Sequence, residues 1–145
     1  MHVFIIKAED HIKRYLRMKS TINELLKKPL LKRDHASILI LIHWASYHLV
    51  STIIDQLLIP EKLKHRNHRG IKKTLKDTEI MKILGKDANK ILKLYNLLEM
   101  DFSSKFQYGY INNIPDYSRV IQILRELEEI CKKITKKVQK EVGKN

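Results

Sequence analysis

Glycine and proline are scarce in this chain, with 4 and 3 among 145 residues. A sandwich or barrel of short strands needs turn residues in quantity, so this shortage points to a mostly helical protein. Cysteine is scarcer still. The one thiol, Cys131, excludes an internal disulfide and a cysteine-based zinc cluster. Aromatic residues make up only 7%, too few for a sheet platform on which bases stack. Negative charge is also short: 16 Asp and Glu stand against 29 Lys and Arg, a formal charge of +13. Polyanions, above all nucleic acid, are therefore the first partner class to consider, and a heat-adapted lysine-rich surface is the plain alternative. The chain has no Gly-rich phosphate loop, no His-Glu-x-x-His helix, no Gly-x-Ser-x-Gly elbow, no internal repeat and no low-complexity block.

What is present is apolar residue at helical spacing. Hydrophobic residues make up 43%, and the length suits one domain, residues 1–145, with its own core. Ile5, Ile12, Tyr15, Leu16, Ile22, Leu25 and Leu26 predict a first helix from His2 or Val3 to about Lys28, ended by Pro29. Asp34 is a suitable N-cap for a second helix that runs to about Leu58, before Pro60. A basic hinge, Pro60 to Gly70, leads into a short helix over Ile71 to Leu84, with Ile71, Leu75 and Met81 inward and Gly85 as its stop. The next helix starts near Asp87 on the stripe Ala88, Ile91, Leu92, Tyr95, Leu98 and Phe102, and frays at Gln107 to Tyr110. Asn112 to Pro115 is a loop, and Asp116 suits the positive end of the last helix. That helix carries Val120, Ile123, Leu124, Leu127, Ile130, Ile134 and Val138 inward, with Cys131 as a small core residue and a frayed tail at residues 140–145. The predicted fold is all-α, an up-and-down bundle of four long helices plus one short helix.

The second helix is long enough to span a bilayer, but His43, His48 and Asp55 lie inside it. Ser37, His48, Thr52 and Asp55 form a thin polar stripe, the pattern of a bundle's central helix, so no membrane partner is predicted. Its apolar circumference also predicts a homodimer. Met1 to Lys7 is too short for a signal peptide and acidic residues follow at once, so the expected compartment is the cytoplasm.

The chemistry concentrates in the hinge. From Lys62 to Lys76 there are seven basic residues and no acid, and the run enters a helix N-terminus, where free N–H groups favour phosphate. Lys62, Lys64, His65, Arg66, His68, Arg69, Lys72 and Lys73 are the candidate phosphate or RNA contacts, arginine because it grips phosphate with two parallel hydrogen bonds. Arg66 and His68 are the candidates for acid–base chemistry there. His65 and His68 have no cysteine or carboxylate nearby and sit in positive charge, so neither a metal nor any other cofactor is predicted. His43 and His48 lie on different faces of the second helix. His48 shares its stripe with Asp55, but no nucleophile completes an acid–base pair.

In order and spacing, His43-Trp44-Ala45-Ser46-Tyr47-His48-Leu49-Val50-Ser51, His68-Arg69-Gly70-Ile71 and Phe106-Gln107-Tyr108-Gly109 resemble a HEPN domain over residues 5–138. The resemblance implies a helical bundle that dimerises. It also implies RNA binding in a toxin–antitoxin or defence setting, with a nucleotidyltransferase-like antitoxin as partner. Many such domains cleave RNA without metal, using an Arg followed a few residues later by a His. This chain departs from that motif: Ser103 and Ser104 stand where the fourth-helix Arg belongs. A ribonuclease of this type would need a rearranged site at Arg66 and His68. A structural or partner-binding module without nucleic acid is the other reading.

Overall fold

The computed structural model describes residues 8–57, 68–106 and 115–143, with side chains undescribed at 68–70, 79, 100–106 and 139–143. Its elements are α1 (Ala8–Leu26), a 3-10 turn (Leu30–Lys32), α2 (His35–Gln56), α3 (His68–Leu75), α4 (Thr78–Leu84), α5 (Lys86–Phe106) and α6 (Tyr117–Gly143). Among the described residues there is no strand. The protein is a helical bundle in which α2 packs against α1, α3, α5 and α6.

Local chemistry sets the helix ends. Asp34 caps α2: its carboxylate accepts from the Ser37 backbone N–H at 3.2 Å and from the Ser37 hydroxyl at 2.7 Å. Those bonds hold the Asp34 carboxyl below the usual carboxylate range. Asp116 does the same for α6, accepting from the Arg119 N–H at 3.1 Å. Arg33 ties the first connection together. It donates to the carbonyls of Leu26 and Lys28, and its guanidinium stacks 5.2 Å over the Tyr117 ring. Tyr117 in turn hydrogen-bonds His35, so the start of α6 is pinned to the start of α2.

Several of the sequence expectations need correction. The short helix predicted over 71–84 is two helices, α3 and α4. Asp77 breaks it: its N–H turns back to Thr74 at 3.0 Å, and its carbonyl starts α4 by accepting from Met81 at 2.9 Å. Aspartate competes with helical hydrogen bonding, which suits it to such a junction. The break resets the helical phase, so Ile80 and Leu84 turn inward and Met81 is exposed. His68, Arg69 and Gly70 form the first turn of α3 rather than a loop. On α1, Leu16 points outward, 54% exposed, while Tyr15 and Ile22 are buried as expected and His11 joins them. Finally, α6 continues to Gly143, past the predicted fraying point at Lys140. The hinge residues 58–67, Gln107 to Tyr110 and the loop Asn112 to Ile114 lie outside the described residues.

By length and composition α2 could cross a membrane, but 72% of its most apolar window is buried by the other helices. Within one chain the uncovered part of α2 is a strip through Ile40 and Trp44.

Gly85 closes α4 with φ +59°, and a Cβ there would meet nothing within 4 Å. The cost of any other residue is therefore backbone strain alone. Gly85→Ala should destabilise the protein by about 1 kcal/mol, measured by urea unfolding; an unchanged midpoint would show that the left-handed turn relaxes freely.

Candidate functional site

The described polar chemistry gathers between α1 and α2. His11, His48 and Asp55 are 4%, 5% and 7% exposed. The Nδ1 atoms of His11 and His48 lie 2.9 Å apart, and His11 Nε2 lies 3.4 Å from Asp55 Oδ2. One of the two Nδ1 atoms carries the hydrogen they share, and Asp55 lies at ion-pair distance from the other ring nitrogen of His11, so the three side chains form one row, His48, His11, Asp55. Thr52 Oγ1 donates to the His48 carbonyl at 2.8 Å, one turn along α2.

Rings extend this row along α2. His48 lies 5.4 Å from Tyr47, Tyr47 lies 5.6 Å from Trp44, and Trp44 lies 6.3 Å from His43, which stands 5.9 Å from Tyr95 of α5. Each ring thus has an edge or tilted neighbour. Trp44 is 41% exposed, so the array reaches the surface beside Ile40.

This geometry suits structure better than acid–base catalysis. His11 uses one ring nitrogen for His48 and the other for Asp55, so the three side chains do not converge on one point. Two imidazoles already in contact cannot flank a reacting phosphate. Among the described residues no group of three or more His, Cys, Asp or Glu is arranged to hold a metal ion. Cys131 is a core thiol with its pKa pushed up to about 11 by burial, far from the thiolate a nucleophile needs.

His11 was not legible as part of this cluster. The available signal was its register: His11, Tyr15, Met18 and Ile22 follow the i, i+4, i+7, i+11 rhythm of an inward stripe. A histidine in that rhythm, facing a helix with His48 and Asp55 one or two turns apart, marks a buried polar pair. Ser37 leaves the predicted α2 stripe because it serves the Asp34 cap.

The predicted basic site divides. Lys62, Lys64, His65 and Arg66 lie outside the described residues, and His68 and Arg69 start α3 with side chains not described. Lys72 does meet an acid that the local sequence lacks: Glu99 of α5, at 2.6 Å. Lys73 and Lys76 are exposed. A described cluster of positive charge lies elsewhere, in the C-terminal half of α6. Lys132, Lys133, Lys136 and Lys137 line one shallow cavity of about 390 Å³ with Glu129. Lys133 bonds Asp87 of α5 at 2.9 Å, which ties this cluster to the start of α5.

Beside this patch, α1 and α6 flank a groove of about 720 Å³ floored by α2. Glu128 closes one end, accepting from Tyr15 Oη at 2.7 Å and Lys19 Nζ at 2.8 Å. Burial works against its charge, but the bonds from Lys19 and Tyr15 outweigh that and hold its carboxyl below the usual range. Burial, and then the bond to Glu128, push the Tyr15 phenol upward.

No protein-family model, curated protein or solved structure matches this chain significantly. The likeness to HEPN domains therefore rests on the quoted residues alone.

The Glu128 bridge carries a pH signature. Its folded pKa lies below the unfolded value of about 4.3, so the bridge stabilises fully above that pH and is lost as pH falls through the depressed value. Glu128→Gln should cost ~1 kcal/mol at pH 7 in thermal or urea unfolding, and the gap to wild type should close below about pH 4. A gap that stays constant with pH would show that the charge on Glu128 contributes nothing.

Proposed function

We propose that this chain is a cytoplasmic, RNA-binding helical module of the HEPN type, an up-and-down bundle acting as a homodimer. The observation that supports this reading most strongly is the concentration of lysine in the C-terminal half of α6, in a chain with formal charge +13. Lys132, Lys136 and Lys137 line one cavity and would meet the phosphates of an RNA backbone. The acid-free run from Lys62 into α3 supplies a second set of cations. The helix dipole favours anions at the start of α3, whereas in α6 the lysines themselves carry the attraction. The toxin–antitoxin or defence setting, with a nucleotidyltransferase-like partner, follows from the HEPN likeness and belongs to the same proposal.

Cleavage of RNA is the weaker part of the reading. The described histidine cluster is buried, so a nuclease here would depend on Arg66 and His68. The competing reading, a partner-binding module with a solvated lysine surface, is separated by salt dependence. Each phosphate contact releases a counterion, so RNA affinity should fall steeply as salt rises. Lys136→Ala with Lys137→Ala, and separately Arg66→Ala with Arg69→Ala, should each weaken RNA binding and flatten the log–log salt slope by about one unit per lost contact. Equal affinities and slopes for wild type and both double variants would reject the RNA reading.

The dimer uses the strip that the single chain leaves uncovered. Ile40 and Trp44 stand one turn apart on α2, both about two-fifths exposed, a placement that suits a second copy across a two-fold axis. Wild type should scatter light as a dimer at micromolar concentration, and Trp44→Glu as a monomer with helical content unchanged. A wild-type monomer, or a dimer that Trp44→Glu leaves intact, would remove this interface.

A further inference from the structure

The groove between α1 and α6 has an unusual lining for a surface otherwise so charged. Leu49 of α2 lies at its floor, and Ile12 and Leu16 of α1 face Cys131 and Val138 of α6 across it. Its volume of about 720 Å³ falls within the roughly 300–1,000 Å³ of small-molecule sites. More than half of the Leu16 side chain is left to water at the lip.

Shape limits the occupant. The α1 lining runs from Ala8 to Leu16, about 12 Å at about 1.5 Å per residue. The Tyr15–Glu128 bond draws α1 onto α6 at one end. A docked helix needs about 8–10 Å to each neighbouring helix axis, so one running through the groove would collide with that bridge. A flexible alkyl chain of medium length fits the space.

Charge limits the occupant's head. Lys132 and Lys136 line both the groove and the adjoining lysine cavity, so the apolar trough opens directly onto positive charge. Two carboxylates also line the groove. Glu128 is committed to Tyr15 and Lys19, with Lys132 a further 3.8 Å away. Glu9 lies exposed in the first turn of α1, where a negative charge suits the helix start.

We propose that this groove binds a single-chain anionic amphiphile of fatty-acid type, free in solution. The alkyl chain lies on Ile12, Leu16, Leu49 and Cys131, and the carboxylate meets Lys132 and Lys136. The chain supplies the binding energy by leaving water, and the lysines select the sign of the head.

Titration calorimetry on the full chain tests this, with dodecanoate below its micelle concentration as probe and dodecyltrimethylammonium as the cation of equal chain length. Wild type should bind one dodecanoate, and the cation about tenfold or more weakly, as expected when a charge-assisted contact is lost. Lys132→Gln with Lys136→Gln should weaken dodecanoate by a similar factor. Leu16→Glu, at an exposed position, should abolish binding, and Thr135→Trp, which fills the groove from its rim, should do the same. Circular dichroism checks that each variant is folded, and the two groove variants act independently should one fail. No wild-type binding, equal binding of anion and cation, or dodecanoate bound unchanged by both folded groove variants would overturn the proposal. RNA affinity of Leu16→Glu should equal wild type, so failure here and failure of the RNA reading remain distinct.

Discussion

The burial of α2 is the constraint on which the structure depends. This helix is apolar enough to be insoluble alone, yet it carries His43, His48, Thr52 and Asp55 along with its isoleucines and leucines. Buried polar groups cost free energy unless they are paired, so the neighbours of α2 must supply partners as well as cover. His11 of α1 does so for His48 and Asp55 together. The bond between the imidazoles fixes the rotation of α1 about its axis, because only one face presents His11, Tyr15 and Ile22. With that face inward, Leu16 is left outside.

The position of α6 follows from the same arrangement. Tyr15, next on the buried stripe of α1, reaches Glu128, and Lys19 joins it. At the other end of the helix, Arg33 and His35 hold Tyr117. Two polar anchors thus fix α6 over α2, and the space left beside α1 is the apolar groove. The groove and the lysine patch are therefore products of the anchoring: where Glu128 pulls the helices together the groove closes, and beyond it the lysines of α6 stand clear.

The charge of the surface has a separate logic. This bundle holds together against an excess of positive charge that repels itself. Some of the excess is answered internally, as by Glu99 for Lys72 and Asp87 for Lys133. Lys136 and Lys137 stay exposed beside Lys133, and the phosphate and carboxylate contacts proposed above fall to them and Lys132.

The sequence by itself determined the helices, because periodicity and caps act over a few residues. Asp34, Gly85 and Asp116 mark ends that depend only on local hydrogen bonds and a positive φ. The burial of Cys131 and of the α6 stripe followed from the same rhythm. Where one residue altered the rhythm, as Asp77 did, phase was lost and Met81 was placed on the wrong side. Only the tertiary structure decided which polar groups meet. His11 and His48 are 37 positions apart, and Tyr15 and Glu128 are 113 apart. Nothing local encodes such contacts, since each depends on how two helices are rotated against one another. For the same reason the acid-free run around Lys72 looked unopposed until α5 brought Glu99 to it, and the groove, which belongs to three helices at once, had no trace in any one of them.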